Sequence, residues 1–340
     1  MKKWKLLVFA LSSTLIIGGL SGCGSEKPKA EPTPDKPLTL KIGVSTGEAD
    51  PRNIAAQQFA DEIRDKTGGA VLATVNGGGV LGSDADLIDS LTLKSGKVDI
   101  VISDASNFAT YEPKMGISAL PFLFDDFDTA WAFMDSGIET AAEDGLLKYN
   151  IRVLTHFCNG FRCVTNSKGP IESPDDMNGL IIRTPENPII MATMTALGAN
   201  PQPLGFSELY AALRQGTYDA QENPIPVIYN NKLYEVQEYL SITNHIYSGM
   251  CFAISESVWK VFSDEQQRII EEAAVHASQT DREMNRQQTT DLISSLEEAG
   301  MKINSPDLEP FAEATSSVLT TNSATYGELI NQLKDWLESH

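Results

Sequence analysis

Apolar positions after residue 38 form short runs separated by stretches with helical spacing. A strand is expected at 41–45. Asp50 followed by Pro51 indicates a helix start, because the carboxylate caps the first turn and proline fits its first position. Further apolar runs at 70–75 and 98–103 predict two more strands, with a second helix between them. Strands that alternate with helices favour a parallel sheet, because a chain returning in the same direction needs a crossover.

The same alternation starts again after residue 150. An apolar strand at 152–157 is followed by Asn159 and Gly160, a pair that predicts a tight turn, and a second strand leaves at 161–165. A short strand at 180–183 then precedes two helical stretches. Two such layers predict two α/β lobes, and a cleft between lobes is a favoured place for a small ligand.

A single long helix is predicted at 263–300. Ser263 and Gln266 form a capping box at its start, and Gly300 ends it. At about 1.5 Å per residue it would reach roughly 50 Å, which is long enough to bridge both lobes. A coiled coil is the weaker alternative, because polar residues in its middle interrupt any heptad seam.

The N-terminus combines three early lysines, an apolar run at 6–20 and the sequence LSGC at 20–23. This pattern predicts a lipoprotein signal peptide at 1–22, so that the mature protein begins at Cys23 and is anchored to a membrane by acyl chains on that residue. The apolar run is too short to span a bilayer. An ordinary signal peptide with an incidental cysteine is the alternative. Residues 23–37 are rich in Gly, Ser, Lys, Glu and Pro, which predicts a flexible tether.

The formal net charge is -20, and removal of a leader with three lysines and no acid makes it about -20 - 3 = -23. Such a charge argues against binding to nucleic acid and against a basic patch for anionic lipid. An anionic ligand would therefore need local cationic groups, namely arginines in a cleft.

The cysteines and histidines give no support for a metal site or a cofactor. Three cysteines remain after the lipidation site, and an odd number cannot all pair within one chain. We expect Cys158, Cys163 and Cys251 to be small buried side chains, with a single disulfide as the alternative.

Several stretches together resemble one known family. They are NGFRCVTNS at 159–167, GLIIRTPENP at 179–188, GFSELYAALRQGTYDAQENP at 205–224, LYEVQEYLSITNHIY at 233–247 and LPFLF at 120–124. Their order resembles that of the solute-binding proteins of tripartite ATP-independent periplasmic (TRAP) transporters, which import organic anions. The resemblance covers the chain from residue 38 onward.

The resemblance implies an α/β, two-lobed periplasmic-binding-protein-like fold (type II-like) with a long helix spanning both lobes. We expect lobe I to comprise 38–159 and 249–288, and lobe II to comprise 160–248 and 289–337.

The resemblance also implies which residues bind the ligand. The family's carboxylate-binding arginine matches Arg183, a second cleft arginine matches Arg162, and the asparagine of the QENP segment matches Asn223. A guanidinium presents a planar fork that fits two carboxylate oxygens, and ligands of open α/β sheets lie beyond the carboxyl ends of strands. Further candidates are Asn107, Phe206, Asn53, Asp84, Glu186 and Tyr247. Phe206 fits the core equally well, and Glu186 with Asn187 fits a helix cap better than a ligand contact.

The function implied is capture without chemistry. We expect a monomeric, extracytoplasmic protein that binds a small organic anion, most consistent with a sugar acid of the hexuronate or keto-gulonate type, and delivers it to TRAP permease subunits in the membrane. A C4-dicarboxylate or a 2-oxo acid is an alternative ligand, and a ligand-sensing subunit for a membrane receptor is an alternative role. An exported enzyme is disfavoured, because the sequence contains neither a GxSxG elbow nor a metal-binding cluster.

Overall fold

One mixed sheet of nine strands organises residues 31–340, the part of the chain that this computed structural model describes. The strands are β1 (Leu38–Val44), β2 (Val71–Asn76), β3 (Ile100–Asp104), β4 (Ile151–Asn166), β5 (Ile181–Thr184), β6 (Asn200–Pro203), β7 (Ala220–Pro224), β8 (Tyr239–Ser255) and β9 (Lys302–Asn304). Their order is β2-β1-β3-β8-β4-β7-β5-β6, and β9 pairs with β8. The predicted signal peptide at 1–22 and the predicted lipidation site Cys23 lie outside the described residues.

Helices cover the sheet and connect its strands. They are α1 (Pro51–Lys66), α2 (Asp84–Thr92), α3 (Phe127–Met134), α4 (Thr140–Leu146), α5 (Pro188–Ala196), α6 (Phe206–Arg214), α7 (Ile225–Asn230), α8 (Glu256–Trp259), α9 (Asp264–Glu298), α10 (Glu309–Tyr326) and α11 (Glu328–Ser339). Within residues 31–340, none of them is long and apolar enough to cross a membrane.

The first predicted layer is confirmed. β1 pairs with β2 and with β3, in parallel in both cases. Helix α1 begins at Pro51, and the Asp50 side chain accepts a hydrogen bond from the Arg52 backbone N–H, as the capping signal indicated. The second layer repeats this arrangement, since β5 pairs in parallel with β6 and β7.

The prediction of a tight turn at Asn159 and Gly160 was wrong. β4 continues through both residues as one strand of 16 residues, antiparallel to β8. The register shifts between Cys158 and Gly160, and Gly160 has a φ of 110°. The glycine therefore supplies an irregularity within the strand pair and not a reversal, because β8 offers hydrogen-bond partners on both sides of it.

The long helix α9 has 35 residues and packs against α1, α7 and β4. Its capping box at Ser263 and Gln266 is present as predicted. Midway along the helix, buried Asp281 accepts a hydrogen bond from the Cys158 backbone N–H at 2.6 Å, and Asn285 donates to the Cys158 carbonyl at 2.8 Å. Polar residues that interrupt a heptad seam thus bind α9 to β4 beside its irregularity.

The body starts slightly earlier than the predicted end of the tether. Pro32 is buried, and its carbonyl accepts a hydrogen bond from Gln266 at 2.9 Å. The three cysteines of the described chain are free and buried, as expected.

An apolar cluster joins segments that are far apart in sequence. Ile117 and Phe124 pack in it together with Ile190 of α5, Tyr326 of α10 and Leu333 of α11. The C-terminal helices therefore cover the junction between residues 113–134 and α5.

Replacing Ser263 with Ala removes the side chain that caps α9. We expect Ser263→Ala to lower the free energy of unfolding by about 1 kcal/mol, because a backbone N–H of the first turn loses its partner. Chemical denaturation followed by circular dichroism measures this change. Ser294→Ala, at an exposed position of the same helix, is the matched control, and an equal loss in both variants would contradict the role of the cap.

Candidate ligand-binding site

Arg183 is a buried guanidinium without an anionic partner. It is the third residue of β5, is 3% exposed, and donates from Nε and Nη2 to the Leu204 carbonyl at 2.9 and 2.5 Å. Within residues 31–340 its only side-chain hydrogen bonds go to that carbonyl, and it forms no ion pair. Burial lowers the pKa of Arg183 to about 10, although Glu222 and Asp84 act in the opposite direction. A carboxylate from outside could form the direct charge-assisted hydrogen bonds that Arg183 does not receive from an acidic side chain of residues 31–340.

Arg162, on β4, is already neutralised. Its Nε and Nη2 contact both carboxylate oxygens of Glu222 on the neighbouring strand β7, with Nη2 2.8 Å from Oε1. Burial opposes ionisation of Glu222, but Arg162 and the side chain of His245 outweigh it and lower the pKa of Glu222 to about 2. Burial lowers the pKa of His245, so its imidazole is neutral at pH 7. The site therefore gains little net positive charge from Arg162.

Asn223 is held in place from both sides. Its Oδ1 accepts from Arg162 at 3.3 Å, and its Nδ2 donates to Gln221 Oε1 at 2.6 Å. Phe206, the first residue of α6, is half-buried, and the Arg183 guanidinium lies 5.8 Å from the centre of its ring. Phe206 therefore limits the space beside Arg183 and does not belong wholly to the core.

Asp84 and Asn107 approach from the other part of the sheet. Asp84 begins α2 and accepts a hydrogen bond from Ser45 Oγ at 3.3 Å. Asn107 donates to Ser103 Oγ at 3.0 Å and accepts from Asn187 at 3.3 Å. Both follow the carboxyl ends of strands, as does Arg183 near the end of β5, so the expected edge of the sheet carries the site.

Two adjoining cavities lie at this edge. The inner one is small and polar, about 40 Å³, and the outer one is about 510 Å³. They share five lining residues, namely Asp84, Asn107, Arg183, Pro185 and Phe206. The shared residues mark the junction of the two cavities, and the buried guanidinium of Arg183 lies there.

Asn53 and Tyr247 do not line either cavity. The Asn53 amide donates to the backbone carbonyls of Thr46 and Gly47 at 3.0 and 2.8 Å, so it holds the loop after β1. Tyr247 is 2% exposed and packs at 5.4 Å from the Phe161 ring in an aromatic cluster.

Glu186 and its neighbour have different surroundings. Glu186 is exposed and lines only the outer cavity. Asn187 caps α5 by accepting from the backbone N–H groups of Ile189 and Ile190, as the capping alternative predicted.

Two charged residues of the inner cavity were missed from the sequence. Arg52 lines it and is paired with Asp50 at 2.8 Å. Asp104 also lines it and ends β3. The strand-end rule that singled out Asn107 points equally to Asp104. No pattern in the sequence distinguished Arg52 from its neighbour Asn53.

The described residues contain no group of three or more His, Cys, Asp or Glu side chains that could hold a metal ion.

Known proteins share this architecture over most of their length. A family model described as DctP, bacterial extracellular solute-binding protein, family 7, matches residues 42–325. The 2,3-diketo-L-gulonate-binding periplasmic protein YiaO of Escherichia coli (strain K12) is 31% identical over 306 residues, which is 90% of this chain and 90% of that protein.

Solved structures agree with the family match. The sugar acid binding protein DctPAm from Advenella mimigardefordensis, in complex with galactonate, superposes with a TM-score of 0.85 at 30% identity, covering 89% of this chain and 98% of that one. A TRAP periplasmic solute binding protein from Polaromonas sp. JS666, bound to D-erythronate, gives 0.84 at 31% identity, covering 88% and 98%.

These matches confirm the two-lobed α/β fold and a role in binding and not in catalysis. The chain belongs to the DctP family of bacterial extracellular solute-binding proteins, the substrate-binding proteins of TRAP transporters.

Proposed function

We propose that this protein captures a sugar acid by its carboxylate at Arg183 and delivers it to the permease subunits of a TRAP transporter. The observation that carries the proposal is a guanidinium 3% exposed, without an ion-pair partner among the described residues, at the carboxyl edge of the sheet. Two charge-assisted hydrogen bonds to a carboxylate would contribute about 1.5–3 kcal/mol each.

The surroundings of Arg183 suit a hydroxylated ligand. Asn107, Asn223 and Ser45 offer amide and hydroxyl groups in the inner cavity, and such groups pair with hydroxyls as donors or acceptors. The named ligands of the three related proteins are 2,3-diketo-L-gulonate, galactonate and D-erythronate, each a carboxylate with hydroxyl groups. This shared chemistry supports a sugar acid of the aldonate, hexuronate or keto-gulonate type.

Capture then proceeds by closure of the two lobes. We assign lobe I to 38–159 and 249–288 and lobe II to 160–248 and 289–337. The assignment is supported by β4 and β8, which pair with each other along both halves of the sheet. Arg183 would bind the carboxylate from lobe II while Asp84 and Asn107 approach from lobe I, so that the ligand itself favours the closed arrangement.

The mature protein would be held at the membrane by lipid on Cys23. The support is the LSGC sequence at 20–23 after an apolar run, followed by a polar stretch that separates the anchor from the body. A tethered monomer can then present its closed form to the permease.

Replacement of Arg183 tests the carboxylate anchor. We expect Arg183→Ala to weaken binding of the tightest ligand among galactonate, D-erythronate, glucuronate and 2,3-diketo-L-gulonate by about 100-fold or more, because two charge-assisted bonds are lost. Arg183→Lys keeps the charge without the planar fork, so we expect a loss of about tenfold. Isothermal titration calorimetry measures both, with thermal unfolding as the check on folding. Arg214→Lys, an exposed arginine of α6, is the control, and unchanged affinity in Arg183→Ala would contradict the anchor.

The Arg162 and Glu222 pair predicts a particular response to acid. Glu222 has a pKa of about 2 in the folded protein and one near 4.5 when unfolded. Its contribution to stability is therefore fully present above pH 4.5 and is lost as the pH falls towards 2. The loss is on the order of 3 kcal/mol.

Denaturation of wild type and Glu222→Gln at several pH values checks this response. We expect Glu222→Gln to be less stable at pH 7, because Arg162 is left buried without its partner, and to lose less further stability between pH 4.5 and 3. Glu172→Gln, at an exposed position, serves as the control. Parallel acid curves for wild type and Glu222→Gln would show that the pair does not contribute in this way.

Cys23→Ser tests the membrane anchor. In cells that process lipoproteins, we expect the full-length wild type to incorporate radiolabelled palmitate and to sediment with membranes, and Cys23→Ser to do neither. Cys251→Ala retains the anchor site and should behave as the wild type does. Labelling that persists in Cys23→Ser would refute the assignment.

A further inference from the structure

The carboxylate of Asp84 lies at the same junction of the two cavities as Arg183. We propose that Asp84 restricts this site to ligands with one carboxylate and excludes dicarboxylates. This inference rests on the proposed capture of a carboxylate by Arg183 and specifies the number of charges on the ligand.

The positive charges of the inner cavity are neutralised except at Arg183. Arg52 is bound through two nitrogens to the two oxygens of Asp50, at 2.8 and 2.9 Å. Arg162 is bound in the same two-pronged way to Glu222. His245 next to Glu222 is fully buried, and burial lowers its pKa, so it adds no positive charge at pH 7. Among the described residues that line the cavity, Arg183 is therefore the one guanidinium not hydrogen-bonded to a carboxylate.

The negative charges of the cavity outnumber the positive ones. Asp84 and Asp104 line it, and Asp50 and Glu222 lie directly behind its lining as the partners of Arg52 and Arg162. The three lining guanidinium groups and these four carboxylates, namely Asp50, Asp84, Asp104 and Glu222, together have a formal charge of one negative.

Asp84 and Asp104 differ in how far their oxygens are occupied. Asp104 accepts from the Ser106 backbone N–H at 2.9 Å and from the hydroxyls of Ser106 and Ser248. Asp84 is half-buried, and its one side-chain hydrogen bond within the described residues comes from Ser45 at 3.3 Å. Asp84 therefore keeps acceptor capacity towards the ligand.

This arrangement of charges and acceptor oxygens favours a ligand hydroxyl over a second ligand carboxylate near Asp84. A ligand hydroxyl has a proton to donate to Asp84, whereas a second ligand carboxylate brings only acceptor oxygens and a like charge. In a partly desolvated site the repulsion between like charges is strong, and the other two guanidinium groups among the described lining residues already have carboxylate partners. Asp84 thus discriminates by rejecting the wrong ligand as well as by binding the right one.

Matched pairs of acids test the inference by calorimetry. Galactonate and galactarate share a carbon chain and differ by a second carboxylate, and erythronate and meso-tartrate form a shorter pair. We expect the wild type to bind each monocarboxylate at least about tenfold more tightly than its dicarboxylate. In Asp84→Asn the preference should fall by about tenfold, chiefly through tighter dicarboxylate binding, and Asp84→Glu should retain it. Asp125→Asn removes the same charge from an exposed loop outside both cavities and should leave the preference unchanged.

The results that would contradict this inference differ from the result that would also contradict the proposed function. A wild type that binds the dicarboxylates more tightly, with affinity still dependent on Arg183, overturns the inference and leaves carboxylate capture intact. A preference that is the same in folded Asp84→Asn also overturns it, because the selectivity then arises elsewhere. A wild type that binds none of the four acids, nor glucuronate or succinate, contradicts the proposed function and this inference together.

Discussion

The candidate site is built around one buried guanidinium, Arg183, to which no carboxylate of residues 31–340 is hydrogen-bonded. Taking a charged group out of water is unfavourable unless it is paired, and the lowered pKa of Arg183 reflects that cost. The fold offsets part of it with the Leu204 carbonyl, which contributes a dipole and not a full charge. In the proposed function, a ligand carboxylate would supply the direct charge-assisted hydrogen bonds that Arg183 does not receive from a carboxylate of residues 31–340. The two neighbouring guanidinium groups, Arg52 and Arg162, already have acidic partners.

The strand pair β4 and β8 connects the two lobes between which the candidate site lies. Both strands run through the two halves of the sheet, so any movement of the lobes must bend them. The irregularity at Gly160 provides a place where the ladder is already interrupted. Helix α9 is hydrogen-bonded to Cys158 beside this point, which couples the helix to the same bend. Strands β4 and β8 and helix α9 thus leave few positions at which the chain could bend during the proposed closure of the lobes.

Much of this fold could be predicted from sequence because its signals are local. The helix starts at Asp50 and Ser263 depend on residues within one turn, and both are found where expected. The prediction of a turn at Asn159 and Gly160 was wrong because the outcome there depends on distant residues. A local pair that favours a reversal was overridden by β8, almost ninety residues away, whose pairing no short pattern reveals.

In the candidate site, too, local signals could be recognised in the sequence, whereas contacts between distant residues could not. Arg183 could be singled out by its place at the end of a strand and by the family resemblance. Whether an arginine is open or neutralised depends on partners such as Glu222, 60 residues from Arg162 in sequence, and this could not be inferred from spacing. Arg52 lines the inner cavity and its neighbour Asn53 does not, because adjacent residues at a helix start point in different directions, which only the packed structure determines.

An overall charge of -20 is compatible with capture of an anion. The repulsion by surface charges and the attraction by a guanidinium in the cleft act over different distances. Charges on the surface are screened over about 8 Å at physiological ionic strength, so they oppose the approach of an anion weakly and in a salt-dependent way. Inside the cleft, Arg183 acts at hydrogen-bond distance and in a less polar medium, where its attraction is several times stronger. The acidic surface therefore affects mainly the rate of encounter, while the affinity is determined by the charges that line the cavity. This separation allows a strongly acidic protein to bind an acid, and Arg183, which has no hydrogen-bonded carboxylate among residues 31–340, is the group proposed to do so.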